Sequence, residues 1–185
     1  MQAMDLLLTR TSSARLSEPA PTAEQRTLLF KAAMRAPDHG LLQPWRFISI
    51  EGEARNKLSQ IFADELMQQE PGISTEKIEK TKGLLLRAPL VVAVIFTPKQ
   101  DHKVTSLDQL LAAGCAAHSI LQSAFAQGLG AIWRTGDMIS SQAVLTALEL
   151  KPEEKIVGFI YLGNNLTTPR SVPDVDLSKF LTNWR

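Results

Sequence analysis

From Gln109 to Trp133 the chain carries no Asp, Glu, Lys or Arg, a run long enough to cross a bilayer as a helix. Its polar residues argue against that. His118, Ser119, Gln122, Ser123 and Gln127 recur at three- to four-residue spacing along one stripe, the pattern of a buried helix with a narrow polar seam. Ser106-Leu-Asp-Gln109 reads as the capping box that opens this helix, and Gly128 and Gly130 mark its end. The small residues Ala112, Ala113, Gly114, Ala116 and Ala117 let another backbone approach closely, which favours tight helix packing and a subunit interface. Cys115, mid-helix among alanines, reads as a small core filler, and His118 as hydrogen-bonded within the seam.

Such a helix must be covered, and the remaining pattern supplies the cover. Leu90-Val-Val-Ala-Val-Ile-Phe96 is a β-rich apolar run typical of a strand buried on both faces. Further strands are expected at Phe47–Ile50, Ala131–Thr135 and Ile156–Leu162. Helices are expected over Met4–Arg10, from the capping box Thr22-Ala-Glu-Gln25 to about Arg35, over Glu53–Gln69 and Thr75–Leu86, and over Gln142–Leu150. With no alternating βαβ series, this order predicts an α+β fold in which helices dominate. At 185 residues the chain reads as one domain, 1–185, with an extended tail over 163–185.

Charge and cysteine usage exclude several functions. The formal net charge is +1 without a long basic block, a poor start for binding nucleic acid. The single cysteine excludes an internal disulfide and a cysteine-built zinc site. The opening MQAMDLLLTR has too short an apolar run for a secretory signal, which predicts a cytoplasmic protein with no membrane partner. His39, His102 and His118 stand too far apart for a metal-ligand pattern, so no metal is expected. Gly128-Leu-Gly130 opens like a dinucleotide fingerprint, but Trp133 replaces the third glycine and a strand follows instead of a helix.

Arginine distribution is more informative. Arg10, Arg15, Arg26, Arg35, Arg46 and Arg55 fall within the first 55 residues, where Lys31 is the sole lysine. Planar guanidinium donors are favoured where a phosphate or carboxylate must be gripped. Arg10-Thr11-Ser12 lies where a helix gives way to a loop, offering a cation, two hydroxyls and free N–H groups; Arg10 equally suits the negative end of the helix. Arg35-Ala-Pro-Asp-His39 introduces Gln43-Pro-Trp-Arg-Phe47, either a proline-shaped turn with Trp45 in the core or a loop presenting Arg35 and His39 to a ligand. In Ala131-Ile-Trp133-Arg134-Thr135-Gly136, strand alternation sends Trp133 and Thr135 to one face and Arg134 to the other, a plausible cradle for a planar anionic cofactor.

These segments, with Arg87-Ala-Pro89 and Gly158-Phe-Ile-Tyr-Leu-Gly163, resemble the flavin-dependent nitroreductases, in their compact YdjA-like bacterial subgroup. The likeness runs from about Met4 to Gly163. It implies a nitroreductase-like α+β fold with a small mixed or antiparallel sheet flanked by helices. It also implies a homodimer with FMN at the subunit interface, and ping-pong hydride transfer from NADH or NADPH to a small nitroaromatic or quinone-like acceptor. The alternative is an FMN-binding carrier or sensor without significant turnover.

Residue by residue, the resemblance assigns Arg10, Thr11 and Ser12 to the FMN phosphate and ribityl end, and Arg35 and His39 to the partner's FMN. Trp133, Arg134 and Thr135 complete the flavin site. Nicotinamide-nucleotide contacts fall on Ser123, Ala124, Phe125, Ala126, Gln127 and Gly128. No side chain is assigned as catalytic, because the hydride chemistry belongs to flavin N5. Thr11 stands where a second arginine is usual, and Asp38 and Leu41 where larger nitroreductases carry Ser and Asn.

Overall fold

A computed structural model describes residues 2–100, 103–168 and 171–184; His102 and parts of the tail, 169–170 and 185, lie outside them. In chain order the elements are α1 (Ala3–Thr9), β1 (Leu16–Ser17), α2 (Ala23–Ala33), β2 (Trp45–Glu51), α3 (Glu53–Gln69), α4 (Thr75–Lys82), β3 (Leu90–Phe96), α5 (Ser106–Ala126), β4 (Gly130–Arg134), α6 (Gln142–Ala147) and β5 (Lys155–Asn165). The sheet order is β1-β5-β3-β2, with β4 also on β5. Every pairing is antiparallel. The expected α+β architecture is therefore present, and its sheet is antiparallel rather than mixed.

Strand β3 is the centre of the core: Leu90 through Phe96 are all 1% exposed or less. Leu90, Val92, Val94 and Phe96 meet Leu29 and Ala33 of α2 and the alanines of α5. Val91, Ala93 and Ile95 point the other way, onto Leu58 and Phe62 of α3 and Val144 of α6. The two-residue strand period thus feeds one side chain alternately to each layer. Ala112, Ala113, Ala116, Ala117 and Ala124 form the buried face of α5, and their small size is what lets this helix lie close on the sheet.

Helix α5 departs from the sequence reading at three places. Its cap is Thr105, whose side chain accepts from the Asp108 N–H at 3.2 Å, one residue before the expected box. Gln109 is instead buried: its amide donates to the carbonyls of Lys99 and Val104 and its Oε1 accepts from the Lys99 N–H. It ties down the loop that enters the helix. Cys115 and His118 are exposed, on an outer strip with Leu107 and Leu111. The neighbouring alanines 112, 113, 116 and 117 face the core, but position 115 falls on the exposed side of the helix, so Cys115 is not a core filler.

Two contacts fix the sheet's ends. Arg46 of β2 grips Glu154 with two hydrogen bonds of 2.8 Å. The Glu154 side chain is 1% exposed and also accepts from the Thr97 hydroxyl and the Lys151 N–H. The hydrogen bonds from Arg46 hold its carboxyl down to about 2, outweighing the opposing effect of burial, with the Lys151 N–H adding to the shift. At the other edge, Gly158 of β5 leaves room for Trp133 of β4. A Cβ at 158 would overlap indole Nε1 and Cδ1 and lie 3.0 Å from the Arg134 carbonyl.

Two predictions follow from these contacts. Gly158→Ala should cost about 1–3 kcal/mol through overpacking, read as a drop in melting temperature of about 2–4 °C per kcal/mol. Glu154 has a folded pKa below its unfolded value of roughly 4.3, so its contribution is complete above that value and fades as pH falls towards about 2. Glu154→Gln should therefore cost about 2–3 kcal/mol at pH 7. In urea titrations its deficit against the parent should shrink steadily from pH 5 to pH 2.5.

Candidate functional site

Strand β4 organises the site because its alternate side chains enter different layers. Ile132 joins the α3 side of the core. Trp133 turns to α5: its Nε1–H donates to the Val157 carbonyl at 3.4 Å, and the far edge of its indole faces Gly114. Arg134 falls on the α3 side, with its guanidinium carbon 5.5 Å from the centre of the Tyr161 ring. The chain then leaves the sheet through exposed Thr135 and Gly136, the latter at φ +117°, a backbone conformation suited to glycine.

A cavity of about 430 Å³ opens beside Arg134, within the range of small-ligand sites. Phe62 and Leu66 of α3, Leu84, and Phe159 of β5 give it apolar walls, while Lys77, Thr81, Arg134 and Asp137 supply polar groups and Thr135–Gly136 also border it. Lys77 is committed to Glu70 at 2.8 Å. Arg134 is different: its Nε is buried with no hydrogen-bond partner. The side chain as a whole is partly exposed, so the unmet group is this one N–H; a buried donor without a partner is costly, and the cavity beside it has room for an acceptor. Burial raises the pKa of Tyr161, which keeps the phenol neutral and its ring face available to the cation.

The Arg10–Ser12 segment approaches the same strand from its other end. Arg10 caps α1, its N–H bonded to the Leu6 carbonyl. Three residues on, the Ser13 N–H donates to the Ala131 carbonyl at 2.9 Å. Between them the Thr11 hydroxyl is buried without a partner, and Ser12 is exposed. Ala131 and Arg134 are three residues apart on an extended strand, about 10 Å.

The remaining expected site residues lie elsewhere. Arg35 and His39 are exposed beyond the end of α2 and do not line the cavity at β4. Their loop is held in an unusual form: Gly40, Leu41 and Gln43 have φ of +80°, +53° and +47°, and Asp38 Oδ2 accepts the Gln43 N–H at 2.6 Å. Left-handed backbone at two non-glycine residues costs on the order of 1 kcal/mol each, which marks a loop built for presentation. Ser123–Gly128 forms the end of α5, where Gly128 at φ +75° turns the chain and the Leu129 N–H returns to the Ala124 carbonyl. Ala124 is fully buried, and Gln127 bonds to Ser123 and the Gln25 carbonyl.

Sequence reasoning did not find Phe62, Lys77, Thr81, Leu84 or Tyr161. They come from α3, α4, the turn after α4 and β5, and no local motif links them. Tyr161 alone left a trace, as the one tyrosine of the chain inside an apolar strand.

Comparison with known proteins agrees with this architecture. The sequence profile of the Nitroreductase family matches residues 7–164. The chain is 41% identical over 177 residues to the "Putative NAD(P)H nitroreductase YdjA" of Escherichia coli K12, covering 94% of this chain and 96% of that protein. Its fold is similar to that of a nitroreductase-like family protein from Bacillus cereus, with TM-score 0.83 and 18% identity over 100% and 96% of the two chains. It is also similar to a "putative nitroreductase in complex with FMN" from Desulfovibrio desulfuricans, with TM-score 0.75 and 21% identity over 98% and 96%. With the profile matched across the whole β1–β5 framework and the Escherichia coli relative aligned nearly end to end, this chain belongs to the nitroreductase family.

Proposed function

We propose that this chain is an FMN-dependent NAD(P)H oxidoreductase that reduces nitroaromatic or quinone-like acceptors as a homodimer. The observation that carries the reading is Arg134, partly exposed but with its Nε buried and unpartnered, at a cavity with apolar walls beside an exposed strand end. A planar conjugated ring with a polar edge fits such walls. Another of the buried polar atoms without a partner, the Thr11 hydroxyl, lies in the segment held to the opposite end of β4, where a phosphate would sit with Arg10 and Ser12. When bound, FMN supplies two-electron hydride exchange at N5.

The chain's own residues bind, orient and limit access. Arg10 and the Thr11 and Ser12 groups hold the phosphate end, and Trp133, Arg134 and Thr135 form the wall and rim at the ring. Arg35 and His39, on the strained loop, reach the FMN of a second copy, and Ser123–Gly128 meets the nicotinamide nucleotide. Donor and acceptor use the same open face in turn, so the donor leaves before the acceptor enters. For a nitro acceptor each turn consumes one NAD(P)H and one proton and yields the nitroso compound, water and NAD(P)+. Solvent at the exposed Thr135–Gly136 rim can deliver the proton.

The homodimer is supported by exposed apolar surface. Helix α1 has no buried residue and packs on α5. Met4, Leu7, Leu8, Leu107 and Leu111 are each 58–65% exposed. In the tail, Leu177, Phe180, Leu181 and Trp184 are 67–99% exposed. Apolar area on this scale is characteristic of surfaces covered by another chain.

Three measurements test the reading. Protein reconstituted with FMN and desalted should stay yellow and bleach on addition of NAD(P)H; colourless protein would reject the function. Arg10→Ala should raise the FMN dissociation constant roughly ten- to hundredfold, the loss of one charge-assisted contact worth about 1.5–3 kcal/mol. Arg26→Ala should leave that constant unchanged in the same fluorescence titration, since Arg26 is bonded to Glu51 and the Pro21 carbonyl. Light scattering should give twice the 20.4 kDa chain mass, and Leu111→Arg should shift it towards the monomer.

A further inference from the structure

We propose that Glu70 is a specificity-determining residue that acts through Lys77. By holding the Lys77 ammonium at the mouth of the cavity beside β4, it leaves that mouth without net charge and selects neutral acceptors over those that carry a carboxylate, sulfonate or phosphate. The inference rests on the FMN reading above and adds the charge class of the acceptor.

The cavity draws its charged groups from three directions. Lys77 comes from α4, Arg134 from β4, and Asp137 from the short turn after Gly136. Glu70 does not line the cavity. It ends α3, and Pro71-Gly72, with Gly72 at φ +88°, reverses the chain towards α4. Ser74 caps that helix by accepting the Lys77 N–H at 3.3 Å, which fixes Lys77 in the first turn, within reach of the end of α3. There both Glu70 carboxylate oxygens accept from Lys77 Nζ, at 3.0 and 2.8 Å. The mouth is thus shared by two cations, Arg134 and Lys77, and two carboxylates, Asp137 and Glu70.

The walls make this balance matter. Phe62, Leu66, Leu84 and Phe159 cannot compensate a carboxylate brought in from water, and such a group is costly to bury without a cation. Arg134 lies along the flavin wall in this reading, and the Lys77 ammonium is already in two-point contact. Exposed Asp137, which has no ion pair among the described residues, repels an entering anion. A ring with nitro or carbonyl groups and no formal charge escapes all three costs. The Glu70 and Lys77 side chains are 52% and 51% exposed, so their pairing adds little to stability. What it controls is the charge an acceptor meets on entry.

The test compares para-nitrobenzoate with para-nitrobenzamide, acceptors alike in size that differ by one charge, on FMN-loaded full-length protein at low ionic strength. The parent should use the amide better. Glu70→Gln frees Lys77 and should raise kcat/KM for the benzoate about two- to fivefold relative to the amide, the change expected of one exposed charge pair. The gain should lie in KM rather than kcat, because the contact is the same in the bound acceptor and in the transition state. It should fade at about 1 M salt, where the screening length falls to about 3 Å. Lys77→Gln leaves Glu70 unpaired and should move the ratio the other way, and the double variant should return it towards the parent's. A merely structural role for the pair would change both acceptors alike and would not reverse sign between the single variants.

A benzoate-to-amide ratio that keeps the parent's value in both single variants, or moves the same way in both, would overturn the proposal. So would a parent that prefers the benzoate, which would put an uncommitted cation at the mouth. The FMN function is read separately in the same samples, as bleaching of bound FMN by NAD(P)H before any acceptor is added. Bleaching with an unmoved ratio leaves that function standing, whereas a parent that does not bleach would overturn both readings.

Discussion

Burial of β3 on both faces is the constraint on which the rest of the molecule depends. A strand with no exposed side chain must have a layer above and a layer below, and here α2 and α5 supply one, α3 and α6 the other. The alanine face of α5 sets how close one layer comes. Because β5 lies beside β3, it is covered in the same way, and the edge strand β4 inherits the division. Its successive side chains are delivered to separate environments, Trp133 to the α5 side and Arg134 to the α3 side.

That division makes a site out of an otherwise ordinary strand. The indole of Trp133 occupies the space above Gly158 and anchors β4, so the next residue has no freedom to turn inward. Arg134 then projects between Tyr161 and the α3–α4 wall, in a cavity that Asp137 also lines, and no ion pair to it is formed among the described residues. The fold holds a cation whose Nε is buried and unpartnered by fixing its backbone on one side and stacking its guanidinium on Tyr161 on the other. Such cost, borne at one point and offset by the large core, is the usual mark of a ligand site.

The exposed surfaces belong to the same reading. Helix α1 has no fully buried residue, the outer strip of α5 exposes Leu107 and Leu111, and the exposed Arg35 and His39 do not line the cavity at β4. One chain thus holds the wall of a site and, at a distance, a second set of polar groups on a strained loop. A second copy is the simplest body that could bring such a loop to such a wall and cover the apolar strip at the same time.

Much of this was legible in the residues. The run 90–96, the helix 53–69 and the capped start of α2 follow from periodicity and capping chemistry, which act over three or four residues. The segment 131–135 was legible as a strand for the same reason, and its alternation already separated Trp133 from Arg134. Pairings could not be read, because register and neighbour depend on which distant faces are buried together. For that reason neither β1, two residues long, nor the exposure of Cys115 can be read from local sequence. The cap of α5 slipped by one residue because Thr105 and Ser106 are equal candidates until Gln109 is seen bonded into the preceding loop. Arg134 was visible as a cation on a strand; its lack of an anion, its stack on Tyr161 and the walls from α3 and α4 exist only once residues 62, 84 and 161 are brought to it. Local sequence determined the elements and their faces, and tertiary packing alone decided which charge was left without a partner.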